Sequence, residues 1–123
     1  MLVVKNPVFL ERVRQSPQQF SWVDHRLARE FYIDNCSHAA SALYLFLVTV
    51  GDAQGLSYYS NVTLQKRLKM EPGVLEQSRH QLMQLGLIAY QKPIYQVLPL
   101  SYPAAGARRF DKNGAAATNR RYL

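Results

Sequence analysis

The sequence predicts a mainly α-helical domain closed by a small β-hairpin, with an extra helix ahead of it, and three observations carry that expectation. The chain has 123 residues, 48% apolar and 19% charged, a globular composition with enough length for one core and too little for two. The stretch "LQKRLKMEPGVLEQSRHQLMQLGLI", Leu64 to Ile88, holds two helical apolar patterns broken between Met70 and Pro72. The stretch "LIAYQKPIYQVLPL" then reads as two strands, Leu87 to Tyr90 and Ile94 to Leu98, around a tight "QKP" turn.

In chain order, residues 1–19 form a polar lead-in with a short helix around "PVFLERVRQ", ended by "SPQQ". Asp24 can cap a helix with apolar positions Leu27, Ala28 and Phe31, broken by "DNCS". Ser37 is a good N-cap, because its hydroxyl can accept from the free N–H groups of a first turn; thirteen residues without Gly or Pro follow it. That central helix is apolar nearly all round, through Leu43, Tyr44, Phe46, Leu47 and Val50, and "GDAQG" ends it, with Gly51 and Gly55 free to turn left-handed.

"LSYYS" reads as a short strand, after which Ser60 or Asn61 caps the helix "VTLQKRLKM". This helix is expected to bury Val62, Leu64 and Leu68 and to present Gln65, Lys66 and Lys69 to water. Glu71 sits at the next N-cap position and Pro72 in the first turn, where its missing N–H costs nothing. In that helix Leu75, Ser78, Leu82 and Leu85 fall on one side, and Gly73, Glu76, Gln77, His80 and Gln84 on the other. Gly86 ends it. Beyond Ser101 the apolar periodicity is lost, and residues 101–123 are expected to form a basic, disordered tail after a domain of residues 20–100.

The net charge of +7 is unevenly placed. Five basic and five acidic residues cancel before Ser60, so all the excess lies after it. Such concentration favours a polyanionic partner, nucleic acid before membrane. A single cysteine, Cys36, excludes an intramolecular disulfide and a Cys-based zinc cluster, and points to a reducing, cytoplasmic setting. Lys5, Glu11 and Arg12 interrupt the apolar start, so export is not expected. The longest apolar stretch, Ala39 to Val50, is shorter than the roughly 20 residues a membrane span needs. There is no glycine-rich phosphate loop or nucleophile elbow, and Cys36 with His38 is a weak case for an activated thiolate; no enzyme activity, cofactor, metal or small-molecule ligand is expected.

The order helix, short strand, helix, turn, helix, hairpin, together with "YYSNVTLQKRLKMEPGVLEQSRHQLMQLGLIAY", resembles the bacterial winged helix-turn-helix family of regulators and plasmid or phage replication proteins. The firmest positions are Leu64, Leu68, Leu75, Leu82, Gly86, Leu87 and Ile88, and the resemblance covers Ser37 to Leu100. Three residues depart from the pattern: Lys69 stands where Gly is frequent, Glu71 where Ser or Thr is usual, and Arg79 where a second apolar residue is common.

The resemblance implies sequence-specific binding of double-stranded DNA by a transcriptional regulator or replication-associated factor. Pro72 to Leu85 would be the recognition helix, with Gly73, Gln77, His80 and Arg79 facing base edges. Ser60, Lys66, Arg67, Lys69 and Lys92 would meet the DNA backbone. Arg79 has two readings: packing at the core edge, or a stem laid on the core with the guanidinium pointing outward to a phosphate or guanine. The alternative is a winged helix used for protein contact.

Each feature also has a plain structural account. Gln77 and His80 suit an ordinary solvated face, and the α-helical basic residues suit solubility. The tail arginines can be a simple terminus or a DNA-tracking arm. Tyr58, Tyr59, Tyr90 and Tyr95 read as half-buried packing before base-stacking groups. Phe20, Trp22, Phe31 and Tyr32 must cover something: either they cap the domain's own core or they pack on a second copy in a homodimer.

Overall fold

The computed structural model describes residues 2–100. Among them are four α-helices and a three-stranded antiparallel sheet: α1 (Arg26–Arg29), α2 (His38–Val50), β1 (Leu56–Tyr58), α3 (Asn61–Leu68), α4 (Pro72–Gln84), β2 (Ile88–Gln91) and β3 (Ile94–Val97). The expected tail over 101–123 lies outside the described residues.

The first segment is less helical than its sequence suggests. Around "PVFLERVRQ" only a single 3-10 turn forms, Leu10–Arg12, and it buries nothing. Without a buried face, so short a helix has nothing to offset its nucleation cost. The helix after Asp24 runs for only four residues and stops before Phe31, whose φ of 64° is left-handed. Asp24 stands one position ahead of the formal cap, His25, yet its Oδ1 still accepts from the Arg26 N–H at 2.9 Å. Its carboxylate also takes the Arg26 guanidinium at 2.8 Å, and chiefly that hydrogen bond holds the Asp24 pKa down to about 2.

α2 forms as expected. The Ser37 hydroxyl accepts from Ala40 N–H at 3.0 Å, and Ala40, Leu43, Tyr44 and Leu47 are buried. Leu45 is the apolar exception, 62% exposed. Gly51 does not turn left-handed: it is extended, φ −68° and ψ 148°, and continues the chain away from the helix. Gly55 supplies the turn with φ 81°.

α3 is capped by Ser60, which accepts from Thr63 N–H at 3.1 Å. It buries Leu64 fully and Leu68 in part, but leaves Val62 65% exposed. At about 100° per residue, Val62 lies roughly opposite Leu64, so both cannot face the core. Both α3 and α4 end in a left-handed residue, Lys69 at φ 55° and Gly86 at φ 75°. At the second end, Leu87 N–H donates to Leu82 O and Gly86 N–H to Met83 O, each at 3.0 Å. That is the Schellman arrangement, which satisfies carbonyls the helix leaves open. At the first, Met70 N–H reaches back to Gln65 O at 3.1 Å.

The hairpin is tighter than expected: Gln91 pairs with Ile94, leaving Lys92 and Pro93 as a two-residue turn. It is also not alone. β1 pairs with β3, Leu56 opposite Gln96 and Tyr58 opposite Ile94, giving the order β1-β3-β2. The core lies where α2 crosses α4, and Leu43, Leu47, Leu64, Leu75, Leu82, Leu87, Ile88 and Tyr95 are each 1% exposed or less. Each fully buried aliphatic side chain contributes about 1.5–3 kcal/mol.

Tyr44, on this core, has its pKa pushed up to about 12 by burial. Tyr32 joins the same cluster at 1% exposure, so of its two expected roles it takes the core of its own chain and not the surface of a second copy.

Candidate nucleic-acid interface

α4 separates its two faces cleanly. Leu75, Ser78, Leu82 and Leu85 are 2% exposed or less, while Gly73, Glu76, Gln77, His80 and Gln84 are all exposed. The separation follows from apolar side chains at three- and four-residue intervals, which define one stripe and leave the polar groups opposite. Pro72 starts the helix without a side-chain cap from Glu71, and Lys69 in its left-handed turn stops α3 before it can fuse with α4. A Cβ added at Gly73 would meet nothing within 4 Å, so the first turn of α4 is open to close approach.

Gln81, at the flank of α4, ties the helix to its neighbour: its Oε1 accepts from Ser37 N–H at 2.7 Å. That satisfies an orphan donor at the start of α2 and fixes α4 along it. Nothing in the local sequence marks Gln81, because its partner lies 44 residues away.

The basic residues divide into two groups. Lys66, Lys69 and Lys92 are exposed, on the last turn of α3, in the inter-helix turn and at the hairpin tip. Ser60 is exposed at the α3 N-cap. Arg67 is exposed too, but its guanidinium carbon rests 5.2 Å from the centre of the Phe46 ring on α2. Phe46 in turn meets Tyr59 edge-on at 5.1 Å.

Arg79 takes the core-edge posture of its two readings. Its guanidinium does not point outward: Nη1 donates to Tyr95 Oη at 2.7 Å and to Asn61 Oδ1 at 3.0 Å, and the group lies 4.5 Å from the centre of the Tyr90 ring. Arg79 thus joins α4, the first residue of α3 and the sheet. Burial raises the Tyr95 pKa, opposed by the Arg79 hydrogen bond. Asn61, which gives α3 its first residue, is a partner that composition and spacing did not single out.

The tyrosines mostly pack. Tyr95 is fully buried, Tyr90 lies against it with ring centres 4.4 Å apart, and Tyr59 is half-buried. Tyr58 is 69% exposed. Phe20, Trp22 and Phe31 are exposed at 66%, 73% and 65%.

Burial pushes the Cys36 thiol pKa up, which disfavours a thiolate there. Among the described residues no group of three or more His, Cys, Asp or Glu is placed to hold a metal ion, and no helix is long and apolar enough to cross a membrane. Comparison of the chain with protein-family models, with curated proteins and with solved structures finds no match.

Proposed function

We propose that this chain is a winged helix-turn-helix protein that binds double-stranded DNA sequence-specifically, as a homodimeric transcriptional regulator or replication-associated factor in the cytoplasm. α4 is the groove helix and β2–β3 the wing. The observation that carries this reading is the exposed polar side of α4, Gly73, Glu76, Gln77, His80 and Gln84, opposite a stripe buried to 2% or less. A helix about 10–12 Å across fits a major groove about 12 Å wide. Gln77 can pair bidentately with adenine, and His80 can meet guanine acceptors. Lys66, Lys69 and Lys92 neutralise flanking phosphates and the Ser60 hydroxyl hydrogen-bonds one, with Arg67 held nearby by Phe46.

Arg79 has a different part in this reading. With its guanidinium bound to Tyr95 and Asn61, it positions the groove helix against the wing and the start of α3. The test is an electrophoretic shift with DNA from upstream of the chain's own gene, titrated against salt and random competitor. Specific retention that weakens steeply with salt is expected. Absence of any shift overturns the reading.

One observation favours a second use, docking of a protein on the same helix: Glu76 stands exposed beside Gln77, where it repels phosphate. Under that reading no salt-dependent shift occurs.

A further inference from the structure

We infer that residues 2–17 are an arm that docks on a second copy of this chain, in the groove that its residues 18–22 help to line, two copies exchanging arms about a two-fold axis. Every residue from Leu2 to Val23 is exposed. Among them Leu2 is 97% exposed, Val4 80%, Val8 90%, Leu10 76% and Trp22 73%. Surfaces normally scatter such side chains singly; a run of this kind marks a contact. Together the arm's apolar side chains expose roughly 1,000 Å², comparable with the roughly 800 Å² that each partner contributes to a stable interface.

The body offers a receptor. Between residues 18–22 and the end of α2 lies a groove of about 880 Å³, lined by Tyr44, Val48, Leu98 and Leu100 and carrying Asp52 at its edge. Among the described residues the hydrogen bond from this segment to α2 is a long one, Ser21 Oγ donating to Thr49 O at 3.3 Å. Upstream of it the arm carries Lys5, Arg12 and Arg14 against Glu11, a basic excess for which the groove offers one carboxylate outside an ion pair, Asp52.

A second copy is the occupant that fits both halves. It brings the same groove and the same arm, so one two-fold operation covers both arms and fills both grooves. A foreign partner would cover the arm and leave the groove. Reach is ample: residues 2–17, extended at about 3.3 Å each, span roughly 50 Å, more than the width of a 100-residue domain. This extends the two-copy part of the proposed function and stands without DNA.

The test is sedimentation equilibrium of the full chain in the absence of DNA, beside the triple variant Val8→Ser, Phe9→Ser, Leu10→Ser. The parent is expected at twice the 14.1 kDa chain mass, and the variant at the monomer mass with unchanged far-UV circular dichroism. Mixed chains carrying Cys36→Ser with either Phe9→Cys or Val48→Cys should also crosslink to one another through a bis-maleimide. A monomeric parent, or a dimer that survives the three serines, overturns the proposal. So does a chain bearing both new cysteines that crosslinks only within itself, which would place the arm in its own groove. A dimer that shifts no DNA sinks the DNA reading alone, and a monomer that shifts DNA sinks this one with the two-copy part of the proposed function and leaves DNA binding standing.

Discussion

The Arg79 guanidinium donates to the hydroxyl of Tyr95 at 2.7 Å, and Tyr95 is otherwise fully buried in the sheet. The same nitrogen reaches Asn61 Oδ1, so one side chain sets the spacing between the groove helix, the α3 N-terminus and the hairpin. Removing it strands a buried hydroxyl. Arg79→Leu is expected to cost about 1–3 kcal/mol in urea unfolding, whereas Tyr95→Phe, which leaves no buried oxygen behind, should cost about 0.5–1.5 kcal/mol. Arg79→Lys should recover little, because an ammonium lacks the planar face that lies on the Tyr90 ring while Nη1 meets its acceptors.

Lys69 sits at φ 55° and ψ 52°, a conformation in which glycine avoids the Cβ strain of an L-residue. Lys69→Gly is therefore expected to raise unfolding stability by about 0.5–1 kcal/mol. Under the proposed DNA reading the same change removes a phosphate contact, and the salt slope of DNA binding should fall by about 1. A variant that gains stability and loses affinity separates the two roles of this residue.

Gly55 has φ 81°, and a Cβ there would stand 2.8 Å from the carbonyl oxygen of Val97. The Gly55 carbonyl accepts from Val97 N–H at 2.9 Å, so the turn cannot move off without losing that bond. Gly55→Ala should cost about 1–3 kcal/mol, read as a lower urea midpoint with an unchanged slope.

Tyr44 ionises at about 12 in the folded chain, because burial disfavours its phenolate, against an ordinary value of 10.0. In the unfolded chain the phenol loses its proton first, so between these values the unfolded state binds fewer protons and stability falls as pH rises. The contribution is fully present below pH 10 and is lost through about pH 12. Its size is at most about 3 kcal/mol. Tyr44→Phe should flatten the alkaline fall in melting temperature, while Tyr95 keeps a remainder of the same sign because burial raises it too.

The parts of this molecule legible in its sequence are those set by local chemistry. The two faces of α4 follow from the spacing of Leu75, Ser78 and Leu82, and the caps at Ser37 and Ser60 from hydroxyls beside open N–H groups. Long-range partners were not legible. For Arg79 the sequence left core-edge packing and an outward cation open because neither Tyr95 nor Asn61 is its neighbour in sequence, and Gln81 gave no sign of reaching Ser37. Tyr32 and Trp22 share one aromatic stretch, yet one is 1% exposed and the other 73%. Composition cannot separate them; the left-handed turn at Phe31 lies between them.

Gln77 and Lys66 allow the DNA reading to be divided into its two physical parts. Both are exposed, one on the polar side of α4 and one in the last turn of α3. A base contact is specific and nearly independent of salt, because it releases no counterion. A phosphate contact is the reverse. Gln77→Ala is therefore expected to cost about 1–3 kcal/mol on the preferred site, to leave random DNA unaffected and to keep the salt slope. Lys66→Ala should weaken specific and random DNA alike and lower the slope by about 1. Fluorescence anisotropy on both duplexes over a salt series reads all four quantities. If Gln77→Ala instead weakens both duplexes equally, Gln77 reads no base; the sequence preference, if it persists, then belongs to His80 or to the wing at Lys92.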